Sequence, residues 1–116
     1  MSNVAERGNA FDVCKLDNGE VLVQVKVKDF CGQFTYCIED CVLREYINDL
    51  EKFDCEEQGK FKLADMDSES YIDFEKTKHG HMKISGQLGS NFRKNYLAFE
   101  MNADQTMISE LIEKLK

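Results

Sequence analysis

The chain has 116 residues, 42% hydrophobic and 10% aromatic, with a formal net charge of -7. That length suits one hydrophobic core with no room for a second domain, and the apolar content is too high for a disordered chain. Its sequence pI near 4.8 argues against nucleic acid and anionic membrane surfaces as partners, because both carry negative charge.

Residues 1–10, polar and small, read as a flexible lead-in to a single domain over 11–116. A short strand is predicted from Phe11 to Leu16, followed by Asp17-Asn18-Gly19, whose residues tolerate the positive φ of a tight turn. Val21, Val23, Val25 and Val27 then alternate with Leu22, Gln24 and Lys26, the period of a strand with one buried face. A third strand is expected after Asp29 to Gly32, carrying Phe34, Tyr36 and Ile38.

At Glu39-Asp40 the period changes from two to between three and four. Val42, Leu43, Tyr46, Ile47, Leu50 and Phe53 mark a helix, with Asp40 as its expected N-cap and Glu45, Asp49 and Glu51 on the opposite face. Asp54 to Gly59 should end it. Four short alternating runs follow, around Phe61, Ile72, Met82 and Leu97, and predict a meander with turns near 65–68, 78–81 and 89–93. Asn102 with Gln105 has the spacing of a capping box before the apolar stripe Met107, Ile108, Leu111, Ile112 and Leu115. The expected class is therefore α+β: an antiparallel sheet of about six or seven strands covered by a mid-chain and a C-terminal helix.

The N-terminal residues Met1 to Arg7 lack the basic start and apolar run of a secretory signal, and no apolar stretch approaches the roughly 18 residues of a membrane span. A cytoplasmic location is expected. Five cysteines cannot all pair within the chain, and Cys14, Cys31, Cys37, Cys41 and Cys55 contain no C-x-x-C, so packed thiols are expected rather than a zinc site.

Chemical motifs are sparse. His79 and His81 flank a glycine in a predicted turn and are weak metal candidates, with no third ligand fixed by spacing. Asp65, Asp67 and Glu69 alternate as in a calcium loop, but the glycine and glutamate such a loop needs are replaced by Ser70 and Lys76. The run Gly86 to Asn91 lacks the lysine and helix of a phosphate loop. No catalytic residue and no cofactor is indicated. Bases such as Lys76, Lys78, Lys83, Arg93 and Lys94 make the meander slightly positive without the interleaved aromatics of an RNA-reading sheet.

Charge is distributed unevenly. Residues 39–75 hold thirteen acids against four bases, so the whole net charge arises there, and the remainder is slightly positive. The run Asn95 to Ile108, with L-x-F in a strand and then D-Q-T opening a helix, resembles the end of WapI-type immunity proteins, which neutralise the toxic domain of a secreted contact-dependent toxin. The resemblance implies a non-catalytic binding protein. A toxin domain that attacks nucleic acid must itself be basic, so Glu45, Asp49, Asp54, Glu56 and Glu57 are candidate contacts for a basic protein partner. Two other readings stand beside it: a ligand-binding or enzymatic domain with a sheet-lined pocket, and a self-associating structural protein whose acidity serves solubility alone.

Overall fold

A computed structural model describes residues 3–4, 9–77, 80–90 and 96–116. Its strands are β1 (Asn3–Val4), β2 (Ala10–Lys15), β3 (Val21–Val27), β4 (Phe30–Tyr36), β5 (Lys60–Ala64), β6 (Tyr71–Lys76), β7 (His81–Leu88) and β8 (Leu97–Asp104). The helices are α1 (Asp40–Cys55) and α2 (Met107–Leu115). The α+β class, antiparallel pairing and both helices agree with the sequence reading, and the strands fall into two sheets, ordered β1-β2-β3-β4 and β5-β6-β7-β8. Each sheet is a run of sequence neighbours because α1 interrupts the chain between β4 and β5.

Local sequence explains most of these elements. In β3, Val21, Val23 and Val25 are buried while Gln24 and Lys26 are exposed, as period-two alternation requires. Gly19 turns the β2–β3 hairpin at φ 89°, and Asn18 accepts the Glu20 amide across the turn at 3.0 Å. The β3–β4 turn is tighter than expected. Lys28 adopts φ 55°, its amide donates to Asn9 Oδ1 at 2.9 Å, and Val27 pairs directly with Phe30, so β4 begins at Phe30 rather than beyond Gly32.

Two caps differ from expectation. Glu39, not Asp40, precedes the first turn of α1, and neither α1 nor α2 has a side-chain cap bond. Asp40 begins the helix itself, where its charge still faces the positive end of the dipole. Asn102 lies within β8 opposite Lys83, because pairing with β7 carries that strand on to Asp104. Asp104 Oδ1 accepts the Thr106 amide at 2.9 Å, and Gln105 donates to the His81 carbonyl at 2.8 Å, tying the start of α2 to the β7 end.

The core lies between the sheets and under the helices. Phe11 of β2 meets Phe74 of β6 edge-to-face at 5.6 Å, and Phe74 continues to Phe61 of β5 at 5.8 Å. Helix α1 places Tyr46 and Phe53 on Phe61, while α2 packs against both β2 and α1. Burying each such side chain is worth roughly 1.5–3 kcal/mol.

Tyr36 closes one end of this core. It is fully buried and donates to the Gln87 carbonyl at 3.3 Å, and burial, then the nearby Asp65 charge, pushes its phenol well above the ordinary value. A raised pKa means the native state holds this proton more tightly, so its stabilisation is complete below the unfolded pKa near 10 and is lost as pH rises beyond it. The variant Tyr36→Phe should cost about 1 kcal/mol at neutral pH yet lose less stability on moving from about pH 9 to pH 12. Urea midpoints across that range check this, and parallel curves for the two proteins would refute it.

Candidate partner-binding surface

Helix α1 buries Leu43, Leu50 and Phe53, which leaves its polar side in solvent. All five acids singled out from the sequence, Glu45, Asp49, Asp54, Glu56 and Glu57, are exposed. Glu45 and Asp49 stand four residues apart and share a flank of the helix. Asp54 follows Asp49 by five residues, about 140° around the axis, so it leaves that flank. It groups instead with Glu56 and Glu57 at the C-terminal end, where the Glu56 amide closes the last turn on the Phe53 carbonyl at 3.2 Å. Among the described residues none of the five forms an ion pair, whereas Glu51, on the same helix, meets Lys116 at 3.7 Å.

A lysine missed by the sequence reading organises this end. Lys76, only 7% exposed, sends its ammonium from β6 to the carbonyls of Phe53, Asp54 and Glu56, and passes 4.9 Å from the Phe53 ring centroid. Its own amide donates to Gly59 at 3.0 Å. These carbonyls lie at the helix C-terminus, where a cation satisfies acceptors the helix leaves open and opposes the negative end of the dipole. With the backbone charge answered from inside, the carboxylates remain directed at solvent. A signal was present: Ile72, Phe74 and Lys76 share the inward side of β6 by period two.

Other motifs resolve differently. Asp65 is buried, accepts the Cys37 amide at 2.7 Å and receives the Ser68 hydroxyl, so its carboxylate holds the β5–β6 turn together. No group of three or more potential metal ligands occurs among the described residues; His79 lies outside them, and His81 is exposed. Lys78, Arg93 and Lys94 also lie outside the described residues.

The cysteines correct an expectation. All five are free, but Cys14, Cys31, Cys41 and Cys55 are exposed and Cys37 is half-buried, because they occupy outward strand positions, the solvent side of α1 and the loop before it. Asp67, by hydrogen bond and then by charge, raises the Cys37 thiol pKa, which disfavours the nucleophilic thiolate.

Surface relief at the acidic helix is shallow: a depression of about 670 Å³ is lined by Asn48, Glu51, Lys52, Cys55 and Glu56. The described helices include none long and apolar enough to cross a membrane. A family model described as the immunity protein WapI-like family matches residues 4–116. The chain belongs to this family. The match extends the resemblance of the β8–α2 segment over nearly the whole sequence. No curated protein and no solved structure matches the chain. Membership of the WapI-like immunity family implies a role exercised by binding a toxin.

Proposed function

We propose that this protein is a non-catalytic cytoplasmic inhibitor that neutralises a basic toxin domain by covering it with the acidic face and C-terminal end of α1. The observation that carries the reading is the gathering of Asp54, Glu56 and Glu57, exposed and without an ion-pair partner among the described residues, around a helix end braced by Lys76. Family membership supplies the class of partner. Charge complementarity of this kind accelerates encounter and excludes nucleic acid from the same basic surface. Five free thiols suit a reducing compartment.

The test is stopped-flow association with a cognate toxin domain. Raising salt from about 50 to 500 mM shortens the Debye length about threefold, and the association rate should fall at least tenfold. A rate independent of salt would sink the reading. Coexpression should also restore growth to cells producing that domain.

A further inference from the structure

We infer that β4 is a self-association edge, through which two copies of this chain pair their first sheets about a two-fold axis at Gln33. Among the described strands longer than two residues β4 is the only one without a formal charge: Phe30-Cys31-Gly32-Gln33-Phe34-Thr35-Tyr36. It is also a sheet edge, with β3 as its single strand neighbour. Edge strands are ordinarily blunted by charge, proline or a covering element, since their open backbone groups invite another strand. The other long edges follow that rule: β5 carries Lys60 and Lys62 and lies against α1, and β8 carries Glu100 and Asp104. Among the described residues neither a charge nor a neighbouring strand occupies the outer edge of β4.

Register supports a second copy as the occupant. Val27 and Phe30 flank a two-residue turn, the position of a hydrogen-bonded pair, so by alternation Cys31, Gln33 and Thr35 direct their amides and carbonyls away from β3. An antiparallel copy centred on Gln33 then sets Gln33 opposite its counterpart and Cys31 opposite Thr35, with all three residues presenting bonds outward. Side chains agree. Gln24 Nε2 donates to Gln33 Oε1 at 3.2 Å, and Gln33 Nε2 has no acceptor among the described residues, so an amide row can continue across the axis.

The pairing would also cover Phe30. At 69% exposure it is the most exposed large hydrophobic side chain among the described residues, and the two-fold sets it diagonally across from the half-buried Phe34 of the other copy, since Tyr36, directly opposite, is buried in its own core. Electrostatics permits the approach. Residues 9–36 hold four acids and three bases, so two such sheets meet almost without net charge, while the acidic band lies in residues 39–75.

Sedimentation velocity under reducing conditions, from about 1 to 300 μM protein, tests the inference. The wild type should shift from monomer to dimer mass as concentration rises. Gln33→Lys and Gln33→Glu should each remain monomeric, because like charges face each other at the axis, and an equimolar mixture of the two should recover dimer mass. Unchanged urea midpoints would show that both variants fold. A second measurement fixes the register: Thr35→Cys, in a background with Cys14, Cys37, Cys41 and Cys55 changed to serine, should crosslink through Cys31 on oxidation, since that pairing brings Cα atoms to about 5.5 Å. A wild type that stays monomeric, variants that dimerise like the wild type, or a monomer whose β4 edge instead binds the toxin would each overturn the inference.

Discussion

Converting Asp54→Asn, Glu56→Gln and Glu57→Gln together should slow association with the toxin domain about tenfold at low salt while leaving folding stability within about 0.5 kcal/mol. The two halves of this expectation have separate causes. All three side chains are exposed and none forms an ion pair among the described residues, so removing their charge breaks no local contact. Their shared position at the end of α1 nevertheless concentrates the field there, and encounter rates follow the local field more than the total charge. A matched control removes the same number of charges elsewhere: Asp17→Asn, Asp29→Asn and Glu100→Gln, all exposed and all outside that helix end. If the control slows association as much as the first triple does, acidity acts only through net charge, and the proposed binding face is wrong.

Much of the architecture was legible because it is local. Alternating valines announce β3, the four apolar runs announce β5 to β8, and the apolar stripe announces α2. Division into two sheets was not, since it depends on which distant strands meet, and hairpin chemistry specifies only neighbours. Both capping assignments failed because strand pairing or one-residue shifts at the helix start outweigh a weak local preference. Exposure of Glu45 and Asp49 followed from the helical period, but the ion pair of Glu51 with Lys116 did not, because that partner lies at the far end of the chain, just past α2. Lys76 sat in plain view as the third inward residue of its strand. Its meaning required knowing that the end of α1 lies above it.

That lysine is the position at which a single substitution should have the largest effect on stability. In Lys76→Met the stem keeps its packing, but the carbonyls of Phe53, Asp54 and Glu56 lose a charged donor at a site closed to most solvent. Bonds to charged groups contribute about 1.5–3 kcal/mol each and do not add fully, so a loss of about 3 kcal/mol is expected. This should lower Tm by roughly 10–20 °C in a domain of this size. Contact with the Phe53 ring adds to the loss, because a desolvated cation over an aromatic face is itself attractive. Salt discriminates this role from surface electrostatics: a shielded ammonium on backbone carbonyls is poorly screened, so the deficit should persist at about 0.5 M salt. Lys83→Met serves as the comparison, since among the described residues Lys83 pairs only with Glu75, at 3.8 Å, in a partly exposed pair worth less than about 1 kcal/mol. Loosening of the last turn of α1 also displaces Asp54, Glu56 and Glu57, so Lys76→Met should slow toxin association although every acid is retained. A midpoint equal to that of Lys83→Met would show that the carbonyls find other donors, and that the acidic end of α1 does not depend on Lys76.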